Sequence, residues 1–182
     1  HLIKSELQDF KIDNQTLNLL INRVGENPLI LKNELAKIKI YKDDNHLISS
    51  NDIMNLTTKN IDTDIFKLID HIVRNQKDEA LEIYYEMLKI NEEPLKIIIL
   101  LASQFRIMYQ AKQLLKRGLS EKDIATILKI HPYRVKLAIQ NSRYIDSKVL
   151  LQYLADLADL DIGIKTGIIN KDTALELFIL KK

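Results

Sequence analysis

The sequence predicts an all-α protein, and three observations carry that prediction. Its 182 residues include 28 Ile and 29 Leu but only 4 Val, 4 Gly and 3 Pro, so good strand and turn formers are scarce. Apolar residues recur at helical spacing through most of the chain, while no segment longer than a few residues alternates as a strand would. There is no internal repeat. With 46% hydrophobic and 29% charged residues, a chain of this length buries a real core and fits one or two domains. Whole-chain disorder and a disulfide scaffold are excluded.

Taken in order, Leu2 to Phe10 reads as a short helix closed by a polar turn, Lys11-Ile12-Asp13-Asn14. Leu17, Leu20, Ile21 and Val24 follow at helical spacing, and Gly25 ends the run as a C-terminal cap. Asn27-Pro28 opens a third helix with Leu31, Leu35 and Ile38 on one face, Pro28 fitting the first turn. Ser49 to Asp52 forms a capping box that starts a helix through Leu56. The stretch from Thr57 to Asp64 is polar and nearly core-free, and it is the expected domain boundary.

Beyond it, Phe66, Ile69, Ile72 and Val73 mark one helix, and Ala80, Leu81, Tyr84, Met87 and Leu88 the next. Glu92-Glu93-Pro94 opens a long helix to about Arg117, with Leu95, Ile98, Ala102, Phe105, Tyr109 and Leu115 expected near one stripe. Gly118 stops it. Ser120 caps a short helix with Ile124, Ala125 and Leu128 inward, and Pro132 opens another through Arg143. Asp146 starts a helix to Lys165, and a last one spans about Asp172 to Leu180.

The formal charge of +2 hides a segregation. Residues 1–103 carry a net −4, residues 104–143 a net +7, and residues 144–182 a net −1. The central +7 can attract phosphates, an acidic protein surface or anionic lipid heads, and solvated helix faces account for it equally well. Zero Cys removes thiolate nucleophiles and thiolate metal sites and fits a reducing, cytoplasmic setting. No run approaches the roughly 18 apolar residues of a membrane span. The four glycines form no phosphate-cradling loop, and His1, His46, His71 and His131 have no metal-ligand spacing. No catalytic site and no metal site are expected. The chain begins His1-Leu2-Ile3-Lys4, without a start Met, which suggests a piece of a longer protein.

Residues 120–143 carry the most suggestive local pattern. Ile124, Ala125, Leu128, Ile130 and Val135 are spaced like the core of a helix-turn-helix, which makes a DNA-binding regulator the alternative reading. The second helix, however, would offer base edges His131, Pro132, Tyr133 and Arg134, without the Asn, Gln and Arg cluster that bidentate contacts favour.

Several runs then resemble one family. Asp78 to Leu88 with Glu92-Glu93-Pro94-Leu95, Leu100-Leu101-Ala102-Ser103-Gln104-Phe105-Arg106, Ile130-His131-Pro132-Tyr133-Arg134-Val135-Lys136, and Asp161-Ile162-Gly163-Ile164-Lys165-Thr166-Gly167 followed by Leu175-Glu176 are similar to the C-terminal collar of the DNA polymerase III delta subunit, part of the bacterial clamp loader. Residues 1–60, with Glu34-Leu35-Ala36-Lys37, resemble the small helical lid that precedes the collar.

The resemblance implies a three-to-four-helix AAA+ lid domain over residues 1–60 and a larger helical collar bundle over 64–182. It implies a non-catalytic subunit fragment that assembles with other clamp-loader subunits, so that the sliding clamp is opened and loaded on primed DNA in replication. Cofactors are expected to be none in this chain, ATP being bound by partner subunits; the clamp would be gripped through an N-terminal domain that is missing here. Membership of the polymerase holoenzyme, a cytoplasmic bacterial machine, follows from the resemblance alone. Candidate subunit-interface residues are Phe105, Arg106, Tyr109, Tyr133 and Arg134, with core packing the competing role for Phe105 and Tyr109. Lys129, Lys136 and Arg143 are candidate DNA-backbone contacts, weak and salt-sensitive if made.

Overall fold

The computed structural model describes residues 6–7, 10–25, 27–42, 46–57 and 61–181. Among them are ten helices and one pair of two-residue strands, as the composition predicts. The chain divides into two compact units, His1–Thr63 and Asp64–Lys182. The division falls inside the first turn of a helix that begins at Ile61.

The first unit contains β1 (Lys11–Ile12), α1 (Asn14–Val24), α2 (Pro28–Tyr41), β2 (Leu47–Ile48) and α3 (Ser50–Leu56). Each helix starts where a side chain can accept from a free backbone amide. Asp13 accepts from the Thr16 amide at 2.7 Å, and Asn27 from the Leu29 amide at 3.0 Å, with Pro28 in the first turn. Ser49 and Asp52 form the expected reciprocal box. Leu7, Leu20, Val24, Leu31, Leu35, Ile38, Ile48 and Ile53 make the core. Arg23 closes the end of α3 by donating to the Thr57 carbonyl at 2.9 Å and to its hydroxyl at 3.1 Å.

Two expectations change here. Lys11 and Ile12 are not a turn but a strand, parallel to Leu47 and Ile48, tied by the Lys11 amide donating to the His46 carbonyl at 2.7 Å. A two-residue pairing across more than thirty positions leaves no local pattern to read. The stretch from Thr57 to Asp64 is also less core-free than its polarity implies, because Thr57 and Asp64 are buried. Thr57 satisfies its hydroxyl on the Ile53 carbonyl at 2.6 Å. Residues 58–60, and most of the helix expected over Leu2 to Phe10, lie outside the described residues; Glu6 and Leu7 are helical.

The second unit holds α4 (Ile61–Val73, whose first turn belongs to the first unit), α5 (Lys77–Lys89), α6 (Pro94–Lys116), α7 (Glu121–Leu128), α8 (Pro132–Ser142), α9 (Ser147–Lys165) and α10 (Lys171–Lys181). Helix α6 is the spine, with α7, α8, α9 and α10 all packed on it. This central position explains why its buried face departs from the expected stripe. Ile97, Ile98, Leu101, Phe105, Ile107, Met108 and Ala111 are buried, whereas Leu95, Ala102 and Tyr109 are half-buried and Leu115 is exposed. A helix covered from several sides buries a wide arc. Likewise Ile65 and Leu68 are core in α4 while Phe66 is half-buried. Edge-to-face rings link three helices: Phe105 of α6 to Tyr153 of α9 at 5.4 Å, and Tyr153 to Phe178 of α10 at 5.6 Å.

Five helices of this unit end alike. After each, one residue takes the left-handed conformation while two amides turn back onto the last carbonyls. That residue is Asn75, Asn91, Gly118 or Gly167 in four cases, types that tolerate positive φ, but Lys129 at the end of α7, with φ 54°. At the end of α9 the Ile168 and Ile169 amides donate to the Gly163 carbonyl at 2.9 and 3.0 Å. Gly163 is small for a packing reason, since a Cβ there would run into the Ile169 side chain. Among the described residues no helix is long and apolar enough to cross a membrane.

Candidate functional site

The candidate surface is built on the corner between α7 and α8. Ser120 and Asp123 cap α7 reciprocally, and the Ser120 hydroxyl, donating to Asp123 at 2.6 Å, holds that carboxyl below its ordinary range. Ile124, Ala125, Val135 and Ile139 pack with Ala111 into a satellite core that fixes the two helices on α6. At the corner itself, His131 accepts from the Tyr133 amide through Nδ1 at 3.2 Å and so caps α8, with Pro132 in its first turn. His131 is therefore a structural residue.

Around this corner the structure places the predicted side chains unequally. Lys129, Lys136 and Arg143 are all exposed, so each ammonium or guanidinium can meet a phosphate. Arg106 is exposed on α6, and Tyr109 is half-buried one turn later. Tyr133 and Arg134 are half-buried in the first turn of α8. The Arg134 Nε is shielded from solvent and has no hydrogen-bond partner among the described residues. Phe105 is a correction: it is fully buried against Tyr153, so it fills the core and offers nothing to a neighbour.

Sequence reasoning also overcounted the basic field. Lys112 contributes to the +7, yet its ammonium is bound inside the fold, donating to the carbonyls of Ser142 and Ile145 at 2.6 Å each. It thereby satisfies the carbonyl of Ser142, the last residue of α8, and that of Ile145 just beyond it, and places its charge at the negative end of that helix. Asp161 and Lys165 form an ion pair at 2.7 Å, one turn apart on α9. Sequence reasoning missed the solvent face of α9, where Leu151 and Ile162 are exposed. Their spacing of eleven residues, opposite the buried residues of the same helix, is the signal that could have found them.

Among the described residues no group of three or more His, Asp or Glu is gathered to hold a metal. What remains is a helical scaffold with a cationic corner and exposed apolar side chains, which suits binding.

Comparison with known proteins gives this scaffold a family. The family model described as "DNA polymerase III delta subunit, C-terminal domain" matches residues 62–182. The DNA polymerase III subunit delta of Bacillus subtilis (strain 168) is 38% identical over 148 residues, which cover 81% of this chain and 43% of that protein. The solved structure of the Bacillus subtilis DNA clamp loader delta protein superposes with a TM-score of 0.83 at 35% identity, covering 99% of this chain and 52% of that one. The chain thus spans about half the length of the relatives that it matches. The helix-turn-helix alternative is not favoured, because residues 120–143 lie wholly inside the matched C-terminal domain. With the fold, the length of the match and the level of identity in agreement, the chain belongs to the family of DNA polymerase III delta subunits, the delta proteins of the clamp loader.

Proposed function

We propose that this chain is an assembly module of a DNA polymerase III clamp loader. Residues 1–60 act as a helical lid and residues 64–182 as a collar that binds sister subunits, so that the sliding clamp is opened and placed on primed DNA. The module is non-catalytic and takes no nucleotide of its own; ATP is bound by partner subunits, and the clamp is gripped by an N-terminal domain outside this chain. Its place of work is the cytoplasm. The observation that carries the reading is the likeness along 99% of the chain to a clamp loader delta protein, at an identity of 35%.

Arg106, Tyr109, Tyr133 and Arg134 are the subunit-interface residues in this reading. Lys129, Lys136 and Arg143 make non-specific contacts to the DNA backbone. Lys129 supports that role by its backbone: four of the five left-handed cap positions hold Gly or Asn, and the fifth keeps a strained lysine at the exposed corner. Sequence reading is not expected, because His131 is committed to capping and Pro132 has no polar side chain to offer a base.

The test is to mix the chain with the separately purified remaining clamp-loader subunits, without nucleotide, and weigh the product by size-exclusion chromatography with light scattering. A stable heteromeric complex is expected. Elution of the chain alone, with tight binding to one defined duplex, would reverse the assignment.

A further inference from the structure

Sulfur is scarce in this chain and unevenly placed. There is no cysteine, and there are three methionines. Met87 and Met108 are buried at 0% and 2% exposure, while Met54 on α3 is 52% exposed. An oxidant in water therefore meets a single sulfur of the folded chain.

That sulfur has a charged neighbour. Arg23 of α1 reaches to the end of α3 and donates through three nitrogens. Its Nε meets the Thr57 hydroxyl at 3.1 Å, and its Nη2 meets the Thr57 carbonyl at 2.9 Å and the Met54 carbonyl at 3.4 Å. Its Nη1 meets the Met54 Sδ at 3.4 Å. A thioether is a weak acceptor, so this arm of the cation faces the poorest of its four partners. The guanidinium is planar and rigid, and Thr57 holds its other two nitrogens, so Nη1 stays aimed at the sulfur.

We infer that Met54 is a reversible oxidation site for hydroperoxides, and that Arg23 captures the sulfoxide that forms there. In the step, a sulfur lone pair attacks one oxygen of hydrogen peroxide. The S–O bond forms as the O–O bond breaks, and the thioether gives up two electrons. The leaving hydroxide takes the proton of the transferred oxygen and departs as water. A sulfoxide oxygen is a strong acceptor. A small rotation of the exposed Met54 side chain brings it to about 2.8 Å from Nη1, the length of a hydrogen bond to a charged donor. Oxidation of a buried methionine disrupts a core. Here the polar product stays at the surface and replaces a weak contact with a strong one, so α1 grips the end of α3 more firmly. Methionine sulfoxide reductase returns the thioether and loosens the grip.

The folded chain, treated with dilute hydrogen peroxide and mapped by peptide mass spectrometry, is expected to gain one oxygen, at Met54. Amide hydrogen exchange over residues 50–57 is expected to slow by about threefold, and reductase treatment to restore the native rate. Met54→Gln carries a side-chain carbonyl in place of the sulfoxide and should slow exchange in the same segment without peroxide. Arg23→Met keeps the apolar stem but removes every donor, so oxidation of that variant should leave exchange unchanged. Circular dichroism checks that it folds, and if it does not, the Met54→Gln comparison decides. Uptake of oxygen at Met87 or Met108 as fast as at Met54 would overturn the site. Unchanged or faster exchange in both the oxidised chain and Met54→Gln would overturn the capture by Arg23.

Discussion

The amide of Gln104 is buried in the middle of α6, only 2% exposed, and neither its oxygen nor its nitrogen has a hydrogen-bond partner among the described residues. A buried polar group without a partner forfeits the hydrogen bonds that water gave it in the unfolded chain. Gln104→Leu, which keeps the volume nearly constant and removes the polar atoms, is therefore expected to stabilise the protein by about 1 kcal/mol. Thermal unfolding checks this, and a lower midpoint for the variant would mean that the amide is satisfied in solution. Lys112 lies on the same helix with the opposite fate, its ammonium held by two carbonyls. Neither fate is legible in the sequence, because a Gln and a Lys in an apolar helix look like solvent-facing residues. Phe105 shows the same limit from the other side. Its ring is as apt for an interface as for a core, and only the packing of Tyr153 against it decides for the core.

At the scale of elements, the ends of the helices were legible and their buried faces less so. Ser49, Ser120, Pro28, Pro94, Pro132 and Gly118 act through neighbours within a few residues, so their signals are local. The width of the buried arc on α6, and the pairing of β1 with β2, depend on residues far along the chain. The two capping boxes carry a pH signature. In Asp123 the hydrogen bond from the Ser120 hydroxyl, then that from its amide, hold the carboxyl below the ordinary 3.8. In Asp52 burial pushes the carboxyl up, but hydrogen bonds from Ser49 and Lys42 outweigh it and leave the group lowered too. A carboxylate whose folded value is depressed contributes stability that is fully present above the unfolded value and is lost as pH falls through the folded one. Thermal midpoints are thus expected to fall as pH drops from about 5 towards 3, in the window around the ordinary carboxylate value. Asp123→Asn keeps an acceptor for the Ser120 amide but does not titrate, so its midpoint should fall less over that window. An acid loss in Asp123→Asn equal to that of the native chain would remove this box from the account.

For the whole molecule, the two units divide the work of folding. The first core draws on Leu7, Leu20, Val24, Leu31, Leu35, Ile38, Ile48 and Ile53, all before residue 64. The satellite core of the second draws on Ala111, Ile124, Ala125, Val135 and Ile139. The segregation of charge, acidic before residue 104 and basic from there to 143, was readable directly, and so were the motifs that place the chain in its family. The exposure of Leu151 and Ile162 was not, since both read as core until α9 is seen to have its core face elsewhere. If the second unit holds its own core, it should fold without the first. The cut must respect α4, which starts at Ile61 and runs across the division between Thr63 and Asp64. Residues 61–182 produced alone are expected to keep their helical circular dichroism per residue and to unfold in one cooperative transition, since a domain of this size can bury enough apolar surface to be stable. A fragment that keeps its far-ultraviolet signal but loses the near-ultraviolet signal of its tyrosines would be compact without fixed packing, and would show that the second unit needs the first to set its core.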